Sequence, residues 1–162
     1  MVKWLKITEN QYFGFWMLGL VLFALQEVPY MLMPFLKLKT NPIMNMQEFF
    51  VFLDVCEKIL GSLCVFLMTF VIQKNVGFWN LGERNGQIGF GLAVVVLLLN
   101  YLGWGMYFHG FQSIWVMLLF IVVLPPIYYV CIGAWRQNWP LVFNGILFLA
   151  VHFTHVFCSL KR

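Results

Sequence analysis

Five stretches of this chain are long and apolar enough to cross a bilayer: Tyr12 to Leu36, Phe49 to Ile72, Ile88 to Phe108, Ile114 to Trp135 and Leu141 to Leu160. A hydrocarbon layer about 30 Å thick takes about 20 helical residues, and each stretch meets that length. Inside lipid every backbone polar group needs an internal partner, so such stretches are restricted to helices. The expectation is an all-α fold, a polytopic membrane bundle of about five helices forming one transmembrane domain over residues 1–162. With 62% of residues apolar and only 10% charged, too little polar surface exists to cover a water-soluble globule.

The basic start, Lys3-Trp4-Leu5-Lys6, resembles that of a signal peptide, but the apolar run after it is too long and no small-x-small site closes it. A retained first helix is expected. The connections carry breaker or turn chemistry at Asn41-Pro42, Asn80-Leu81-Gly82 and Asn85-Gly86. Asn45 followed by Glu48 reads as a capping box for the second helix. His109 to Ser113 is short enough to make helices three and four an antiparallel hairpin, and Asn138 before Pro140 reads as the cap of helix five. Trp4, Tyr12, Trp16, Trp79, Trp104, Tyr107, Trp115, Trp135 and Trp139 fall near segment ends and are expected in interfacial belts.

Five crossings place the termini on opposite sides. The N-terminal side, side A, carries Lys3, Lys6, Lys74, Arg84 and Arg136, and side B carries Lys37, Lys39, Lys161 and Arg162. The counts nearly balance, so the positive-inside rule gives only a slight preference for a cytoplasmic N-terminus. The expected location is integral to a membrane, the cell membrane in particular. The net charge of +4 is dispersed and implies no nucleic-acid partner. Cys56, Cys64, Cys131 and Cys158 all sit in apolar segments without a Cys-x-x-Cys pair, which suits packing rather than redox chemistry.

Polar side chains at mid-membrane depth are the features that point to function, because ionisable groups are costly there. Counted from side B, Glu27 lies ten residues before Lys37, Lys58 ten after Glu48, Asn100 nine before His109 and His152 nine before Lys161. In helix four the same depth falls beside Pro125-Pro126, where backbone hydrogen bonds are lost, and Pro29 repeats the motif after Glu27. Asp54, Glu57 and Lys58 share a stripe of helix two that should face the bundle, with Lys58 pairing with Glu27 or Asp54. If all four are ionised, Glu27, Asp54, Glu57 and Lys58 sum to −2, a charge that calls for a proton, a cation, an amine or water. A Glu27–Lys58 salt bridge with Asp54 and Glu57 turned toward side B is the purely structural account.

His152 and His155 share a face of helix five, where they suit hydrogen-bonded packing better than a metal or haem site, since no further ligands stand at fixed spacing. No cofactor is expected. Asn100 and Asn144 fit interhelical hydrogen bonding, and the glycines of helix three fit close helix approach.

The candidate ligand or ion site is thus Glu27, Asp54, Glu57, Lys58, Asn100, His152 and His155. It suits binding or transport of a proton, a small cation or an amine-bearing molecule. One alternative is a membrane-embedded enzyme acting on a lipid-soluble substrate through His152, His155 and Glu57. Another is a non-catalytic subunit whose partner, besides lipid, is a second copy of the chain or another membrane protein.

Overall fold

The computed structural model describes residues 2–46, 50–74 and 84–160. Its elements are the strands β1 (Val2–Lys6) and β2 (Gln11–Phe15), helix α1 (Met17–Leu32, closed by a 3₁₀ turn at Met33–Phe35), α2 (Val51–Phe70), strand β3 (Val71–Gln73), α3 (Arg84–Phe108), α4 (Ile114–Trp135) and α5 (Trp139–Leu160). The fold is a polytopic membrane helix bundle. Among the described residues four helices, α1 with its 3₁₀ turn, α3, α4 and α5, are long and apolar enough to cross a membrane. The fifth, α2, has 20 residues and carries Asp54, Glu57 and Lys58 in its first half.

The helix ends gather in two groups. On side A, the antiparallel sheet β1-β2-β3 joins the start of α1 to the end of α2, and Gln73 Nε2 donates to Gln137 Oε1 in the α4–α5 turn at 2.8 Å. On side B, Tyr107 Oη donates to Asn41 Oδ1 at 2.7 Å, and Gln112 Nε2 to the Thr40 carbonyl at 2.9 Å. All five helices therefore run alternately between the same two ends, α2 included. Reporter fusions at Met1 and Arg162 are expected to fall in opposite compartments; the same compartment for both would contradict the five-helix arrangement.

The sheet corrects the expected start of the first helix at Tyr12. Phe13 and Phe15 project from one face of β2 onto Phe66 and Phe70 at the end of α2, with ring centroids 5.8–6.2 Å apart. A Cβ on Gly14 would lie 2.1 Å from the Val2 carbonyl, so only glycine lets β1 approach. The second helix likewise ends at Phe70 rather than Ile72, and Asn85-Gly86, expected in a turn, lie in the first turn of α3. The fifth begins two residues early, at Trp139, because Asn138 Oδ1 accepts from Leu141 N at 3.2 Å as the expected cap. The capping box at Asn45–Glu48, the turn at Asn80-Leu81-Gly82, and Trp79, Lys161 and Arg162 involve positions outside the described residues.

Trp4, Trp115 and Trp139 are exposed, whereas Trp16, Trp104, Tyr107 and Trp135 are buried in the packing. Trp16 meets Trp135 edge-on at 5.7 Å, with the Arg136 guanidinium 4.2 Å above the Trp16 ring. Burial draws the Arg136 pKa down to about 10, which leaves it cationic at neutral pH.

Prolines explain how α3 is tied to its neighbours. Residues Met117–Val122 of α4 form a π-helix, and Val123 N donates five residues back to Leu118 O. By that spacing the carbonyl of Phe120 would need an N–H on Pro125, which has none. Asn100 Nδ2 supplies the donor at 2.8 Å. Pro29 likewise deprives the Leu25 carbonyl, four residues back, and Tyr101 Oη donates to it at 2.6 Å. Adjacent residues of α3 thus cap a freed carbonyl on each of two helices. Asn100→Leu is expected to cost about 1–2 kcal/mol in a detergent melt, because Phe120 O would be left buried without a donor. An unchanged melting temperature would contradict that role.

Candidate functional site

The five helices line a partly open cavity of about 410 Å³. Its middle layer is polar, with Gln26 and Glu27 from α1, Glu57 from α2, Tyr129 from α4 and His152 from α5. Toward side B it is walled by Tyr30, Met46, Trp104, Met117 and Val156, and toward side A by Phe23, Val65 and Phe148. Gly61 of α2 faces the Phe148 ring of α5 beside the acids, where an added Cβ would lie 3.4 Å from the ring.

Glu57 is the organising residue. Both histidines of α5 turn Nδ1 toward it: His155 hydrogen-bonds Oε2 at 2.5 Å, and His152 lies 3.0 Å from Oε1, an electrostatic contact rather than an aligned hydrogen bond. The spacing of the histidines makes this geometry available, since positions three apart on a helix share a face. The Asn144 side chain bonds the same helix pair further along, to the Leu60 carbonyl at 2.8 Å and to Cys64 Sγ at 3.0 Å.

The expected Glu27–Lys58 salt bridge does not form. Lys58 instead meets Asp54 at 2.7 Å, one turn back on its own helix, and its side chain is 66% exposed. The reason is rotational: residues 57 and 58 point about 100° apart on a helix, so when Glu57 faces α5, Lys58 faces outward. Near the start of α2 its long stem lets the ammonium snorkel toward side B. Nor does Glu57 turn toward side B.

The local charge can now be assigned. Asp54 and Lys58 cancel, leaving Glu27 and Glu57 at −2 if both are ionised, opposite two imidazoles that can each hold one proton. Of the seven candidate residues, Glu27, Glu57 and His152 line the cavity, and His155 joins them through Glu57. Asp54 and Lys58 form a separate pair, and Asn100 serves the backbone of α4. Sequence reasoning missed Gln26, Ser62 and Tyr129. Tyr129, one turn beyond Pro125, was detectable from the proline pair that marked the depth.

Among the described residues no group of three or more His, Cys, Asp and Glu side chains has the geometry to hold a metal ion. The cysteines are free thiols, with Cys64 and Cys131 buried. Fold and site together define a membrane helix bundle with an acid–imidazole cluster facing a partly open cavity between the helices. Comparison with protein-family models, curated proteins and solved structures gave no match.

Proposed function

We propose that the cavity binds a small, largely apolar molecule bearing one amine, with Glu27 and Glu57 as the countercharge. The observation that carries this reading is a pair of carboxylates lining a cavity of about 410 Å³ whose walls toward side B are apolar and aromatic. That volume lies in the range of small-molecule sites and exceeds what a bare proton or metal ion needs. The ammonium sits in the polar layer, between Glu27 and Glu57, and the hydrocarbon part extends toward Trp104 and Met117. Aromatic and aliphatic faces there pack against that hydrocarbon part. Alternate exposure of such a site to the two sides would make it a transporter.

A phenylalkyl amine titrated into the purified protein in detergent is expected to raise its melting temperature, and the matched alcohol is expected to leave it unchanged. Glu27→Gln and Glu57→Gln should each weaken amine binding about tenfold or more, the equivalent of about 1.4 kcal/mol for a lost charge-assisted bond. Equal shifts from amine and alcohol would contradict the reading.

The 2.5 Å contact of Glu57 with His155 favours a second reading, acid–base catalysis on a lipid-soluble substrate. Chemical conversion of a bound amphiphile, lost in His155→Gln, would select it.

A further inference from the structure

His155 uses only one of its ring nitrogens on Glu57. The other, Nε2, has no hydrogen-bond partner among the described residues, nor does the hydroxyl of Ser159. Both residues are deeply buried, at 2% and 8% exposure. Unpartnered polar atoms at such depth are uncommon in folded proteins and are usually joined by ordered water. Four residues apart on α5, they stand one turn above the other on the same face, and Ser159 is the residue before the last of the helix. The sequence Glu57, His155, Ser159 therefore runs from the cavity toward side B, beside rather than through the apolar wall.

We propose that His155 and Ser159, bridged by water, carry protons between Glu57 and the side B end of α5. Imidazole suits the task because it can accept a proton at one nitrogen while releasing one from the other. The Glu57 carboxyl gives its proton to Nδ1, forming carboxylate and imidazolium. Nε2 then releases its own proton to water beside Ser159, leaving the neutral Nδ1–H ring. One proton moves and no electrons do; ring rotation or the reverse transfer restores the starting tautomer.

The titratable groups around this path are Glu27 on α1, Asp54 and Lys58 flanking Glu57 on α2, Tyr129 on α4, and His152 and Cys158 on α5. On α3, Tyr101 is committed to the Leu25 carbonyl. The packing next to His155, where Val156 meets Leu118 and Val122, is apolar. The path does not depend on what the cavity binds, so failure of amine binding would leave it standing.

The test is infrared spectroscopy after a pH jump on the purified protein, following the carboxyl band that disappears in Glu57→Gln. Protonation of Glu57 is expected to slow severalfold in His155→Gln and in Ser159→Val, and to keep its native rate in Ser159→Thr, which restores a hydroxyl. His155→Gln retains a donor to Glu57, and Ser159→Ala replaces Ser159→Val if the larger side chain prevents folding, as judged by melting. Equal rates in all folded variants, or a Glu57 band that never titrates, would overturn the proposal.

Discussion

Glu57→Leu is expected to destabilise the bundle by about 3 kcal/mol in a detergent melt, the low end for breaking a buried pair because the Glu57 side chain keeps 22% exposure. The loss does not come from the deleted carboxylate alone. It leaves the His155 ring, 3% exposed, with Nδ1 facing a leucine, and removes the carboxylate 3.0 Å from His152. Leaving a buried donor without its acceptor costs more than removing both. His155→Leu in the same chain should therefore recover part of the loss, giving a non-additive cycle of about 1–3 kcal/mol. The corresponding cycle for Asp54→Asn and Lys58→Met should give only about 0.3–0.5 kcal/mol, the worth of a solvent-reached pair one helical turn apart. Additive effects at Glu57 and His155 would contradict their pairing.

The second large effect is expected at Gly89, where leucine should cost upward of about 3 kcal/mol or prevent folding. A Cβ there would lie 2.7 Å from Trp135 N, 3.1 Å from the Cys131 carbonyl and 3.1 Å from Trp135 Cα, all backbone atoms of α4 that cannot rotate aside. Relief requires α3 and α4 to separate, which would open the buried cluster holding Trp16, Ala93, Ile132 and Trp135. At Gly91, where a Cβ would meet nothing within 4 Å, alanine should instead be neutral in the same melt. Similar losses at the two positions would mean that glycine matters to α3 for its backbone rather than for helix approach.

The contrast between these glycines shows where sequence reasoning reaches its end. Helix existence was legible from apolar length alone, and the fourth helix ran over the expected residues. The sheet was not, because Tyr12, Phe13 and Phe15 are as apolar as a helix requires and the β3 partner Val71–Gln73 lies some 60 residues away. Distance along a helix is readable from sequence and rotation is not. Counting from the helix ends matches Glu27, Lys58, Asn100 and His152, yet on α2 it is Glu57 that faces the cavity, because which of two adjacent residues faces the bundle depends on packing. Hence Lys58 takes Asp54, one of the two partners its spacing allows, and not Glu27, while His152 and His155, whose partner the sequence does not identify, both meet Glu57. For Asn100 the sequence carries more: the prolines at Pro125-Pro126 imply freed carbonyls and the residue count sets Asn100 at their level, and the structure joins the two.

An ammonium group held between Glu27 and Glu57 with its apolar part toward side B should be visible in an anomalous difference map from crystals grown with a bromophenylalkyl amine. A bromine peak inside the cavity beside Trp104 and Met117, lost in Glu57→Gln crystals grown the same way, is the result predicted. A peak confined to the lipid-facing surface, or one that persists unchanged in Glu57→Gln, would contradict it.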